Sequence, residues 1–295
     1  MHRPVLVKEV LEILSPRPGG HYVDATVNGG GHVFAILEKI GPKGELIGID
    51  RDCVLIEDLS KKIAKLKIKN VHLVCDNFVN IAAIVRRHRL APLDGLLFDL
   101  GFSTYHLEAS QRGFSFLKDE PLDMRYNPAD TELTAEIILN QWPEAKIERI
   151  LSEYGEERFS RRIARRIAED RKITKITRTG ELIKIISRAV PRWYCQGRIN
   201  CGTRTFQALR ITVNDELAFI EKALMEAIRI LPPGAKIAVI SFHSLEDRIV
   251  KRIFQEATQK KEALSITKKA IKPALAEKMD NQRARSAKLR AIKKV

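Results

Sequence analysis

The chain contains no stretch approaching the eighteen or so uninterrupted apolar residues that a transmembrane helix needs. Its first residues, Met1-His2-Arg3-Pro4, lack the apolar core of a secretory leader. Cysteine is scarce: Cys53, Cys75, Cys195 and Cys201 are scattered with no Cys-x-x-Cys spacing. That spacing argues against a disulfide scaffold or a zinc site, and for buried thiols acting as small hydrophobes in a reducing cytosol. There is no internal repeat at a fixed period and no low-complexity tract. Acidic residues are also in deficit, 37 Asp and Glu against 52 Lys and Arg, for a net charge of +15. This surplus disfavours acidic-protein or cationic-ligand partners and favours a polyanion. What is present is ample core-forming material. Of 295 residues, 44% are apolar and 30% charged, enough to exclude wholesale disorder and to fill two average domains or one domain with a large insertion.

The first hundred residues alternate strand and helix signals. Apolar runs at 21–27, 45–50, 71–76 and 93–100 read as strands, with helical stretches ending near Ile40 and spanning 53–66 and 78–90. Strands separated by ten to fifteen helical residues predict βαβ units and a parallel sheet covered on both faces. From about Leu107 to Phe206 the chain turns helical and basic, without convincing strands. Residues 156–170 place Phe159, Ile163 and Ile167 on one helical face and Arg161, Arg162, Arg165 and Arg166 around the other. A helix over about 215–231 leads to a late strand at 236–241. The organisation expected is an α/β domain formed by 1–107 and 207–295, interrupted by a helical insertion, 108–206. The last 36 residues hold twelve Lys/Arg against Glu262, Glu277 and Asp280, and read either as a solvated tail or as a strand and arm touching nucleic acid.

The sharpest local signal is Asp24-Ala25-Thr26-Val27-Asn28-Gly29-Gly30-Gly31-His32, between the first strand and a helix. Glycines let the backbone approach a ligand, and free helix N–H groups attract an anionic group. Phe34 stands where a dinucleotide fingerprint needs its third glycine. Asp24, ahead of the glycines, suits a ligand carrying a cation, such as the amino-acid end of S-adenosylmethionine. Asp50 is placed to accept two ribose hydroxyls. Asp76 can accept from an adenine amine, and Phe78 can cover the ring. The fourth strand ends in Asp99-Leu100-Gly101-Phe102-Ser103-Thr104, a pattern related to that of enzymes methylating exocyclic amines. Such an amine is a poor nucleophile because its lone pair is delocalised into the ring. Accepting its N–H at Asp99 or a nearby carbonyl localises the lone pair toward the methyl group, with Phe102 or Tyr105 available to stack on the base. Most of the acceleration is then expected from in-line positioning.

Nine ordered motifs, spanning 24–32, 48–52, 99–103, 112–116, 121–125, 154–157, 203–211, 241–248 and 283–290, make the chain resemble the bacterial small-subunit ribosomal RNA cytosine-N4 methyltransferases, the RsmH/MraW type. The resemblance runs almost end to end. It implies a class I (Rossmann-like) S-adenosylmethionine-dependent methyltransferase with an inserted all-helical domain that helps hold substrate. The implied target is the N4 amine of a cytidine in the decoding region of 16S rRNA, in the small ribosomal subunit, in the cytoplasm and away from membranes. A homodimer is admitted. Matching positions imply that Gly30, Gly31 and His32 meet the methionine end of the donor, beside Asp24. Asp50 would meet the ribose and Phe78 the adenine, with Asp99 and His106 completing the pocket. The chain departs from the family in carrying Ala25 and Asn28 where Gly is usual. It also has His106 for Gln, and Asn200-Cys201 in place of a His-Pro pair.

Asp99, Ser103 and His243 are the candidate catalytic residues, and Arg112, Arg125, Arg204 and Asn214 the candidate RNA contacts; no metal is required. Ser244 with Asp247 matches a capping box. Phe206, Leu209, Val213 and Leu217 form a core stripe beside which Asn214 is buried and needs a partner. Arg204 and Arg210 are candidate phosphate grips. The loop 112–126 reads as a lid or RNA-facing segment, with Asp123 and Arg125 as tethers or phosphate contacts. Two other functions fit the same residues: a DNA amino-methyltransferase, and a non-catalytic RNA-binding or assembly factor whose first loop no longer holds donor. A nicotinamide oxidoreductase is disfavoured by Phe34.

Overall fold

The computed structural model describes residues 4–197 and 199–295; Met1-His2-Arg3, on which the leader reading rests, lie outside them. The chain divides into two compact units, Met1–Ser103 with Leu217–Val295, and Thr104–Glu216. Helix Thr203–Asn214 therefore falls wholly in the second unit, whereas the sequence reading divided it at 206/207.

The first unit is built on seven strands: β1 (His21–Asp24), β2 (Glu45–Asp50), β3 (Val71–Cys75), β4 (Gly95–Asp99), β5 (Lys236–Ser241), β6 (Ala263–Ser265) and β7 (Lys288–Lys294). Their order is β3-β2-β1-β4-β5-β7-β6. The first five are parallel, and β7 runs antiparallel to β5 and β6. Successive strand residues serve opposite faces. Ile47, Phe98 and Val239 pack with Ile84, Leu224 and Phe254 on one side, while Leu46, Leu97 and Ile240 pack with Val10, Ile36 and Leu59 on the other. Both faces are thus apolar, as a parallel sheet sandwiched by helices requires. Each such side chain fully buried contributes about 1.5–3 kcal/mol before entropy is charged. Order reverses at β1, which pairs with β2 on one edge and β4 on the other. The crevice at the carboxyl ends of these strands is where open α/β sheets hold ligands.

β1 is shorter than its apolar run. Beyond Asp24 the chain leaves the ladder, and its N–H groups alternate between neighbours, Ala25 N donating to Leu97 O (2.8 Å) and Val27 N to Ile49 O (2.9 Å). The basic tail is not a solvated segment: it forms β6 and β7, and Lys288 and Arg290 hold Asp247 at 2.9 and 2.7 Å. No helix among the described residues is long and apolar enough to cross a membrane.

In the second unit the described residues form helices joined by loops, with one isolated bridge, Pro121 to Arg178. Helices Ala135–Gln141, Glu144–Glu153, Ser160–Asp170, Thr179–Ala189 and Thr203–Asn214 enclose a core that includes Ile138, Leu151, Ile163, Ile167, Ile186 and Leu209. The 206/209/213 stripe lies in that core. Leu217 does not belong to it, because the helix ends at Asn214 and Asp215 turns the chain through a left-handed conformation (φ +50°). The loop 112–126 is no free lid: Leu122 and Met124 are core residues, and Met124 N donates to Arg112 O at 2.7 Å.

The cysteines are paired, contrary to the expectation of free thiols: Cys53 with Cys75 (Cα–Cα 5.0 Å) and Cys195 with Cys201 (4.7 Å). Spacing concealed the first pair because Cys75 stands opposite Asp50 in the β2–β3 ladder, beside the helix that Cys53 opens. Thiol titration of the denatured, unreduced protein should find no free sulfhydryl, rising to four after reduction; four before reduction would refute both bridges.

Candidate active site

Three aspartates close three neighbouring parallel strands: Asp24 on β1, Asp50 on β2 and Asp99 on β4. Asp24 and Asp99 are almost wholly inaccessible (0% and 2% exposed). Burial, which penalises the charged form, pushes their carboxyls up to about 8 for Asp24 and about 7 for Asp50 and Asp99. Asp24 is raised further by Asp99 and Asp50. For Asp99, the Arg283 charge opposes the burial and Glu246 adds to it. Asp50 accepts N–H bonds from Asn28 and Asp52, both at 2.9 Å, and keeps a second lone pair on each oxygen for a ribose hydroxyl. Asp24 accepts from Thr26 N through Oδ1 (3.1 Å), while its Oδ2, like Asp99 Oδ1, is buried without a partner.

The loop between β1 and the next helix sets this geometry. Thr26 Oγ1 accepts the Asp99 N–H at 2.6 Å, tying the loop to the end of β4. Asn28 adopts a left-handed conformation (φ +48°), which suits the glycine that the resemblance leads one to expect here; Asn is among the few other residues that tolerate it. Its Nδ2 donates to Thr26 O (3.2 Å) and Asp99 O (3.3 Å), so the side chain adds hydrogen bonds that a glycine could not make. Ala25 has no left-handed φ and packs in the core. Gly30 cannot be replaced so easily: at φ +86°, a Cβ would sit 2.5 Å from Leu59 Cδ1. Gly31 opens helix Gly31–Ile40, and His32 is buried in its first turn, 3.8 Å from Asp99 Oδ2. Burial drives the His32 pKa down to about 4, so the ring is neutral, and its Nε2 lacks a partner.

Phe78, after β3, is partly buried and edge-on to Phe98 at 6.0 Å. Asp76 accepts from Asn77 N and Asn80 Nδ2, both at 2.7 Å. Ser103 is buried just beyond β4. His243 caps helix Ser244–Gln259, with Nδ1 accepting from Glu246 N (3.4 Å) and Glu246 accepting Phe242 N (2.7 Å). The capping box is therefore His243/Glu246, one residue earlier than the Ser244/Asp247 pair expected; Asp247 is engaged by β7 instead. Sequence reasoning did not single out Arg283. Its guanidinium lies 5.4 Å from the Phe242 ring and 5.9 Å from that of Phe102, and donates to Phe102 O. The signal was there, since Arg283 opens one of the nine motifs.

The remaining candidates lie in the second unit. His106 is buried among Tyr105, Phe114 and Tyr126, with ring centroids 5.0–5.7 Å away. Arg112 donates to Arg125 O and Tyr126 O, and Arg125 grips Asp123 and the carbonyls of Pro128 and Thr131. Asn214 finds the partner its burial demanded in the 112–126 loop, accepting from Tyr126 N (2.9 Å) and donating to Met124 O (2.7 Å). Arg204 donates to Glu156 O. Arg210 is no phosphate grip: it is buried in a two-bond ion pair with Glu216 (2.9 and 3.0 Å).

An orphaned carboxylate oxygen at the end of β1, a diol acceptor at the end of β2 and a glycine turn at a helix start fit a donor carrying ammonium and sulfonium charges. Fold and site together define a class I, S-adenosylmethionine-dependent methyltransferase. A model of the MraW methylase family matches residues 1–295. Similar relatives are the ribosomal RNA small subunit methyltransferases H of Heliobacterium modesticaldum (45% identical, covering 100% of this chain and 98% of the relative), Geobacter sulfurreducens (45%, 100% and 99%) and Dictyoglomus thermophilum (44%, 98% and 95%). The chain belongs to the MraW methylase family.

A cationic donor favours ionised Asp24 and Asp99, so below their raised pKa values binding must release protons. Calorimetry should find donor affinity increasing about a hundredfold from pH 6 to pH 7.5, with protons passed to the buffer. The raised pKa values also mean that these acids favour the fold at low pH and lose that contribution progressively as pH climbs from about 4 to 7–8. Donor-induced thermal stabilisation should accordingly be larger at pH 7.5 than at pH 6. An affinity independent of pH would contradict this account of the site.

Proposed function

We propose that the enzyme methylates the N4 amine of a cytidine in the decoding region of 16S rRNA, in the small ribosomal subunit, within the cytoplasm. The observation that carries this reading is the buried, partnerless Asp99 Oδ1 at the end of β4, an acceptor waiting for an N–H. The names of the full-length relatives and the +15 charge support an RNA substrate. S-adenosylmethionine supplies an electrophilic methyl group on a sulfonium.

In this reading Asp24 holds the ammonium of the donor, Gly30, Gly31 and His32 its methionine end, Asp50 its ribose and Phe78 its adenine. Asp99 accepts an N4–H and localises the amine lone pair, and the proton released can rest on a carboxyl whose pKa already stands at about 7. Thr26 and Asn28 hold the Asp99 backbone, and Arg283 moderates its charge. Neutral His32, 3.8 Å away, adds no competing cation. Ser103 and His243 flank the extruded base, and the helical unit grips RNA. Turning a base outward costs a few kcal/mol, less where the RNA is already irregular, and aromatic stacking offsets it.

Labelled methyl groups should pass to small subunits lacking the modification. Asp99→Ala should slow transfer about a hundredfold through lost positioning. Full activity in that variant would remove Asp99 from the mechanism, and transfer to DNA in place of subunits would overturn the substrate.

A further inference from the structure

The second unit carries an aromatic and arginine cluster that the donor chemistry does not use. Trp193 and Tyr194 lie on the short helix Arg192–Cys195, and Phe159 precedes helix Ser160–Asp170. The three rings meet edge to face, 4.9–6.2 Å between centroids. The Arg158 guanidinium lies 4.5 Å from the Trp193 centroid and 4.9 Å from each of the other two. Beneath them Glu157, 2% exposed, accepts from Tyr194 Oη (2.7 Å) and Phe159 N (2.9 Å), so one buried carboxylate orients both ring-bearing segments. The Cys195–Cys201 bridge fixes the end of the short helix. Despite this support Trp193 remains 57% exposed.

The surrounding charge is selective. Arg149, Arg165 and Arg166 are spent on Glu153, Glu169 and Asp170. Among the described residues no carboxylate pairs with Arg158, Arg162 or Arg192, although Arg162 also reaches the Phe159 ring (5.8 Å). A large indole left open beside unpaired guanidinium groups is costly to leave in water and is the combination that takes a flat, π-faced, anionic partner. An acidic protein helix would use the arginines but not the exposed indole. A nucleic-acid duplex would use the arginines while keeping its base faces stacked away.

We propose that Trp193, held by Arg158, Phe159 and Tyr194, is a stacking platform for an unpaired nucleobase of the RNA substrate, with Arg162 and Arg192 on the adjoining phosphates. It rests on the RNA reading above and gives the helical unit a defined contact. The test uses the full chain without donor, so that it is read independently of methyl transfer. With Trp142→Phe leaving Trp193 as the sole tryptophan, a twelve-nucleotide single-stranded oligoadenylate should quench its emission, and an RNA duplex of equal length should not. In the otherwise unchanged protein, Trp193→Ala should weaken oligoadenylate binding about tenfold, with Trp193→Phe recovering most of the loss and the thermal midpoint unmoved. Equal quenching by duplex, or unchanged affinity in Trp193→Ala, would overturn the platform, the first leaving phosphate attraction alone and the second a surface for some other partner. Absence of methyl transfer to subunits alongside normal quenching would strike only the preceding reading.

Discussion

Asp24, Asp50 and Asp99 end hydrogen-bonded parallel strands, and burying them there is the constraint around which the first unit is arranged. An unpaired buried carboxylate costs on the order of several kcal/mol if it stays charged. The protein limits that cost in two ways visible in the structure. Backbone N–H groups from the 25–30 loop and from Asp52 serve the oxygens they can reach, and the acids left short of partners hold their protons to pH 7 or 8. Neither device satisfies Asp24 Oδ2 or Asp99 Oδ1. The fold could not place these groups mid-strand, since both sheet faces are apolar core. At the carboxyl edge, where strand order reverses, they stand at the crevice in which open α/β sheets hold ligands.

The first loop is what makes three strand ends a single site. Asn28 contributes its backbone N–H to Asp50 and its side chain to the Asp99 carbonyl, linking β2 and β4 across β1. A glycine here would adopt the same left-handed conformation with less strain but could make only the backbone bond. Asparagine at this position therefore gives up some conformational ease for an additional tether. Ala25, with ordinary backbone angles and a packed methyl group, costs the loop little. Ala25 and Asn28 are thus accommodated by different means, and neither displaces the acids.

Much of this was legible in the sequence for a physical reason. The parallel strands had period and length signals, and their terminal aspartates stood out because charged groups interrupt apolar runs; β2 matches its apolar run at both ends. What escaped depends on contacts between distant residues. Cys53 and Cys75 meet only because β2 and β3 are neighbours, and Arg283 reaches the β4 turn only after β7 has joined the sheet beside β5. The helix cap moved by one residue because a histidine can take the role expected of serine. Aromatic residues around Arg158 gave no periodic signal, being divided between two segments more than thirty residues apart.

Arginine shows most clearly how structure changes a sequence inference. A count of basic residues predicts attraction to a polyanion but not where it acts. Arg112, Arg125 and Arg210, attractive as phosphate contacts by motif, are committed to carbonyls and carboxylates that hold the 112–126 loop and the end of helix Thr203–Asn214. Drawing them onto a phosphate would leave buried acceptors such as Glu216 unpaired, at a cost that surface attraction does not recover. Arginines without such commitments, as at 162 and 192, can exchange water for a phosphate or a base at little expense to the fold. In the proposed reading, what the helical unit can offer an RNA is therefore set less by its total charge than by the subset of guanidinium groups that folding has left uncommitted.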